Sequence, residues 1–253
     1  MSDGFDSWSN LRRYTPARIA LGRTGDALPL ARLLEFQAAH ALARDAVHQP
    51  FDADGLADTL ADHPTLLVRS QAPDRATYLQ RPDLGRRLHA DDLALLSGMR
   101  CQGQGPKKSY DAVIVLADGL SARALHDHGK ALVDELLPRL AGWDIAPLIL
   151  ARQARVALGD DVAAALNAAI VVMLIGERPG LTAADSIGAY LTFRPQPGLT
   201  RDAERNCVSN IRPDGYAPAL AADLIAWLMS QARRLKLTGI GLKQDRPPEL
   251  PGA

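Results

Sequence analysis

The chain has two cysteines in 253 residues, Cys101 and Cys207, and nothing pairs them. There is no CxxC and no cysteine–histidine spacing of a metal site, which excludes a thiolate metal centre or a disulfide framework and fits a reducing compartment. Aromatic residues make up 5% of the sequence, too few for a base-stacking surface. Charge of one sign is also missing: 29 Lys and Arg balance 29 Asp and Glu. With no net charge there is no global field to draw in nucleic acid or an anionic membrane. No apolar run approaches the roughly 20 residues of a membrane span, and the opening MSDGFDSWSNLRRY lacks the apolar stretch of a signal peptide. Phosphate-cradling GxxxxGK[ST], a GxGxxG after a strand and a GxSxG nucleophile elbow are all absent, as is the DxHxxG that brings an axial histidine to some corrin proteins. These absences describe a soluble intracellular protein without nucleic-acid or membrane partners and without a self-contained catalytic constellation.

What is present is globular. At 47% hydrophobic content the chain can bury a full core, as one large domain or two small ones. The pattern divides it into a helical region over 1–105 and an α/β region over 106–253, with the turn-rich CQGQGPKKS (101–109) as the boundary. In the first part, four arginines fall within 12–23; they form either a solvated basic segment or an arm that meets a partner or an anion. From 28 to 48, Leu30, Leu33, Leu34, Ala38, Ala41 and Leu42 recur at helical steps, and Pro50 stops the helix. Residues 54–60 make a short helix and 65–69 a short strand. Residues 74–88 read as a loop followed by a helix through Leu96.

Beyond the boundary, 111–117 is a buried strand closed by Asp118-Gly119-Leu120-Ser121, with Ser121 as N-cap of a helix ending before Pro138. Further strands are expected at 145–150, 170–175 and 187–193, with helices at 160–168 and 217–235; the last turns Leu220, Ile225, Leu228 and Met229 inward. Alternating strands and helices imply an open, mostly parallel, Rossmann-like sheet flanked by helices.

The candidate site residues each carry a bland alternative. Asp118 and Ser121 could bind an anion at a helix N-terminus, but capping is the simpler role. His126 and His128 flank Asp127; residues two apart on a helix diverge by about 200°, so they read as surface groups and not a metal pair. Cys207 has no histidine near it in sequence and reads as a small packed hydrophobe. Glu177 follows the buried run 170–175, where open sheets place ligands; it is either a ligand acceptor or a solvated loop carboxylate.

GERPGL, DSIGAYLTFRP and AERNCVSNIRP, with LRRYTPARIALGR, ARDAVHQPF, TYLQRPDLGRRL and VLADGLSA, make the chain resemble the small (light) subunit of ethanolamine ammonia-lyase from about Leu11 to Lys243. The resemblance implies a bacterial enzyme of two subunit types that uses adenosylcobalamin to turn ethanolamine into acetaldehyde and ammonia by a radical mechanism. It implies a large subunit, a TIM barrel, that holds the substrate, while the small subunit covers the cofactor from the other side. It also implies a cytoplasmic location, with packaging in a bacterial microcompartment left open. Three cofactor contacts carry over: the valine of QARVALGD is Val156, the glutamate of GERPG is Glu177 and the cysteine of ERNCVSN is Cys207. Val156 would give an apolar contact, Glu177 would accept hydrogen bonds from amide arms or a ribose hydroxyl, and Cys207 would pack as a compact neighbour. No catalytic residue and no metal ligand is expected on this chain. The alternative of a different class is a free-standing nucleotide- or phosphate-binding α/β enzyme that uses Asp118 and Ser121.

Overall fold

The computed structural model describes residues 8–15, 17–99 and 109–243; Cys101 and nearly all of the expected boundary segment lie outside them. The helices are α1 (Leu30–His48), α2 (Ala53–Thr59), α3 (Arg75–Gln80), α4 (Ala90–Met99), α5 (Ala122–Arg139), α6 (Leu158–Leu166) and α7 (Pro218–Leu235). The strands are β1 (Thr65–Arg69), β2 (Tyr110–Ala117), β3 (Leu148–Arg152), β4 (Ala168–Gly176), β5 (Ile187–Phe193) and β6 (Asn206–Ile211).

The strands form one sheet in the order β1-β3-β2-β4-β5-β6. Central β2 and β4 are almost wholly buried apolar runs, as strands covered on both faces must be. Ala112, Ile114 and Leu116 face a core shared with α2, α5 and α7; Val113, Val115 and Ala117 face the core under α4 and α6. This alternation from one β-strand is the period-2 rule acting on a helix–sheet–helix sandwich.

The α/β class is as expected, but the parallel reading needs correction. β1, β3, β2 and β4 pair in parallel, whereas β4–β5 and β5–β6 are antiparallel. The reason is connection length. No helix long enough for a crossover lies between β4 and β5 or between β5 and β6, so the chain can only fold back on itself. Strand β6 falls on a segment for which the sequence pattern predicts no element. Its polar residues fit an edge strand, where one side stays wet.

Smaller differences have equally local causes. Residues 74–80 are not loop: Asp74 accepts the Thr77 N–H at 2.8 Å and starts α3. β3 begins at Leu148, not at 145; Ile145 makes only a bridge to Ala112. Helix α5 runs past Pro138, which sits in its last turn, to Arg139. In α7, Ile225, Leu228 and Met229 are buried, but Leu220 is exposed. In α1, Ala46 alone is buried while Leu30, Leu33, Leu34 and Leu42 are exposed. The helix is where its periodicity predicted; its carboxyl end packs on the chain at Ala46, while its leucines stay exposed among the described residues.

From β2 the chain moves to β3 on one side of it and then to β4 on the other. The crevice at the carboxyl ends of these three strands is therefore the switch point at which open α/β sheets bind their ligands.

Candidate functional site

Three loops leave the sheet at that switch point: Asp118–Ser121 after β2, Gln153–Val156 after β3 and Glu177–Ser186 after β4. Two glycines let the first and third touch. Gly119 has φ +53°, and a Cβ on it would stand 2.2 Å from the Gly176 carbonyl oxygen; one on Gly176 would stand 2.0 Å from the Ser121 carbonyl oxygen. Only glycine accepts both the left-handed backbone and this approach. Leu120 N–H then donates to Gly176 O at 2.9 Å, which fixes one loop to the other.

Asp118 is buried and holds the second loop. Its two oxygens accept the Gln153 and Ala154 N–H groups at 2.9 and 3.0 Å, and Arg75 Nη1 lies 3.6 Å away. Burial pushes its carboxyl up to about 6, although these hydrogen bonds and Arg75 pull the other way. Ser121 is fully buried at the N-cap position of α5 but does not cap; its Oγ donates to Ala184 O at 2.8 Å. Both residues tie loops together. The expected cap role for Ser121 gives way because its hydroxyl is turned to Ala184 O instead.

The crevice between the loops is a cleft of about 470 Å³, walled by Val156, Ile175, Leu120 and Tyr190 on its apolar side and by Glu177, Arg178 and Arg155 on its polar side. A second cleft of about 270 Å³ adjoins it across a ridge made of Arg155, Val156 and Tyr190, and reaches Cys207, Asp202 and Arg86. The three sequence-predicted residues, spread over 52 positions from Val156 to Cys207, thus line a groove made of two adjoining clefts with a shared wall. Val156 lines both clefts, Glu177 the first and Cys207 the second.

Glu177 is half-buried and held in place. Its Oε2 accepts Ser186 Oγ–H at 2.6 Å and Asn210 N–H at 3.1 Å. Asn210 adopts a left-handed φ of +58° to turn that N–H inward, a conformation asparagine tolerates better than most residues. Oε1 stands beside Gly188, 3.0 Å from where a Cβ would sit, and Tyr190 Cε2 is 3.1 Å from the same point. The bare backbone at Gly188 is what lets carboxylate and phenol share the groove floor.

Cys207 is exposed, against the expectation of a packed residue. It is on β6 directly opposite Tyr190 on β5, on the sheet face that α6 leaves open beyond β4. Loss of solvent on its inner side, then the nearby Glu177 charge, raise the thiol pKa, with a Tyr190 hydrogen bond opposing. Burial, followed by the Cys207 charge, pushes the Tyr190 phenol up to about 12. Both groups stay protonated at neutral pH. A neutral thiol is a binding contact and a poor nucleophile.

Sequence reasoning missed the groove's framing residues. Tyr78 is buried with two guanidiniums stacked on its ring, Arg75 at 4.8 Å and Arg155 at 4.6 Å, and its hydroxyl donates to Ala154 O at 3.1 Å. Burial and the Asp118 charge push this phenol up to about 12. Arg205 and Asp160, both almost fully buried, form a bidentate pair with two 2.7 Å bonds. The pair clamps the start of β6 to the first turn of α6. Alternation along β5 could have placed Tyr190 beside Glu177; nothing in the sequence indicates Arg205 meeting Asp160.

The histidines are not the free surface groups expected. His126 stacks on Phe51 at 5.6 Å and accepts the Asp52 N–H at 3.1 Å, while His128 lies 3.0 Å from Asp185. Asp127, His128 and Asp185 offer three ligand atoms within 4.8 Å of one another. Guanidiniums already face both carboxylates, Arg123 at 2.9 Å from Asp127 and Arg212 at 3.6 Å from Asp185, so the cluster acts as an ion-pair network behind the Glu177 loop. Among the described residues no helix is long and apolar enough to cross a membrane.

The family model described as ethanolamine ammonia-lyase light chain (EutC) matches residues 5–243. Among curated proteins, the chain is 51% identical over 242 residues to the ethanolamine ammonia-lyase small subunit of Azotobacter vinelandii, covering 94% of this chain and 88% of that one. It is 48% identical over 248 residues to that of Pseudomonas fluorescens strain Pf-5, covering 96% and 89%. With the Ralstonia nicotianae protein of the same name it shares 50% identity over 241 residues, covering 94% and 88%. A match over nearly the whole length, at about half identity, leaves one assignment: the chain belongs to the ethanolamine ammonia-lyase light chain family.

Proposed function

We propose that this chain is the small subunit of an adenosylcobalamin-dependent ethanolamine ammonia-lyase, and that its switch-point groove covers one side of the cofactor while a large subunit holds the substrate. The observation that carries this reading is the groove itself, whose walls include Val156, Glu177 and Cys207 together. Its chemistry suits a large corrin with amide arms. The floor is apolar at Val156, Ile175 and Leu120, the rim offers a fixed carboxylate and guanidiniums, and Gly119, Gly176 and Gly188 keep side chains out of it. The two clefts are shallow pieces of an open surface, as half of a clamp would be.

When bound, adenosylcobalamin supplies radical chemistry through homolysis of its cobalt–carbon bond. This chain's residues bind and exclude water: Glu177 accepts from amide or hydroxyl groups, Val156 and Tyr190 give apolar contact, and Cys207 stays a neutral neighbour. Radical chemistry requires a dry site, and a groove closed by a second subunit provides one. The partner surface we assign is the arginine-bearing segment over 12–23 with the exposed face of α1, in a helical region over 1–105 that serves assembly and lends Tyr78 and Arg86 to the groove, while 106–253 carries the rest of it. The setting we assign is the cytoplasm, in a microcompartment or outside one.

The phosphate-handling alternative has weaker support. Both Asp118 oxygens are used by backbone N–H groups, and Ser121 is fully buried against Ala184. The test is ammonia release from ethanolamine with added adenosylcobalamin, using this chain, the large subunit and their mixture. Activity only in the mixture supports the subunit reading; an assembled but inactive mixture overturns it.

A further inference from the structure

Arg155 stands where the two clefts meet and belongs to the wall of both. Unlike the exposed Arg86 and Arg178, it is fixed. Its backbone N–H donates to Gly85 O at 2.8 Å, its Nη2 donates to Tyr78 O at 3.1 Å, and its guanidinium stacks 4.6 Å from the centre of the Tyr78 ring. Its Nε is buried with no hydrogen-bond partner among the described residues, so the chain holds a cation whose donors it does not fully satisfy. Charge around the groove points the same way. Arg205 is matched by Asp160, which leaves Arg86, Arg155 and Arg178 against Glu177 and Asp202. A groove with this excess, centred on a guanidinium whose rotamer freedom is already spent, suits a single anionic group that takes a forked contact.

We propose that Arg155 is a further cofactor-binding residue of this groove, and that it grips the phosphodiester of the nucleotide arm of the cobalamin. This rests on the cobalamin reading above. A phosphodiester is the anion of that cofactor's nucleotide arm, and the ridge at Arg155 lies between the cleft of Glu177 and that of Cys207, where a bound group could run from one to the other.

Cobinamide, which keeps the corrin and lacks the nucleotide arm with its phosphodiester, separates the contacts. Binding of adenosylcobalamin and of adenosylcobinamide to the assembled two-subunit complex is measured by equilibrium dialysis and visible spectra, for wild type, Arg155→Met and Arg155→Lys. The wild-type complex should prefer cobalamin. Arg155→Met should weaken cobalamin binding by about 10- to 100-fold, as expected for a charge-assisted contact, and change cobinamide binding less than about twofold. Arg155→Lys, which keeps the charge and loses the fork, should fall between. Should the methionine variant not assemble, the lysine variant decides: weakening confined to cobalamin supports the assignment. Equal loss for both ligands, no loss for either, or no wild-type preference for cobalamin overturns it. A wild-type complex that assembles and takes neither ligand overturns the cobalamin reading, and this assignment with it.

Discussion

Two carboxylates near the groove show how placement decides role. Glu177 has one oxygen bound by Ser186 and Asn210 and the other beside Gly188. Replacing it with alanine should weaken cobalamin binding to the assembled complex by about tenfold, the cost of one charged acceptor in a half-open site. Dialysis that shows unchanged affinity would rule out a carboxylate contact. Asp118, by contrast, titrates near 6 against an ordinary 3.8, because burial disfavours its charge. The folded chain therefore holds this proton more tightly than the unfolded chain. The group's contribution to stability is fully present below 3.8 and is lost as pH rises through about 6; the difference is about 3 kcal/mol. Melting temperatures of wild type and Asp118→Asn, taken from pH 4 to 8, should show a decline with pH in the wild type that the asparagine variant flattens. Parallel curves would mean that Asp118 is not the group that titrates.

At the scale of elements, the groove depends on β6 staying against α6, and the buried pair of Arg205 and Asp160 is the tie. Arg205→Met strands a carboxylate in the interior and should cost about 3–5 kcal/mol in urea unfolding. Adding Asp160→Leu removes that stranded charge, so the double variant should regain part of the loss. A double variant no more stable than the single would deny the pairing its role. This tie also marks where sequence reading stopped. Elements with strong periodicity or long apolar runs, α1, β2, β4 and β5, were legible because local pattern and burial agree in them. β6 was not, because an edge strand with one wet side has the composition of a loop, and Arg205, which ties down its start, finds Asp160 45 residues away in α6. The site was legible only through a resemblance: Glu177 stood out after a buried strand, while Val156 and Cys207 have no local signal. Their neighbours Tyr190, Gly188 and Arg155 become visible only once the sheet brings them together.

At the scale of the whole molecule, the chain folds a full core and, among the described residues, leaves the leucines of α1 exposed. Helix α1 begins with Leu30, 70% exposed, and continues through Leu34, 53% exposed, on the next turn. A leucine gains about 1.5–3 kcal/mol when it is fully buried, so a face of this kind suits the partner contact proposed above. The helix register says the same thing. A stripe at three- and four-residue steps predicts a helix with one apolar face, but such a pattern cannot tell a chain's own core from a partner's. Leu30→Gln with Leu34→Gln keeps good helix formers and removes the apolar surface. The variant should melt within a degree or two of wild type when alone, because neither side chain supports the core. Its association with the large subunit, followed by sedimentation, should weaken by at least about 100-fold, the equivalent of two leucines left in water. Unchanged association would move the partner surface off α1 and toward the arginine-bearing segment before it; a large drop in melting temperature would show that α1 packs on its own chain in solution.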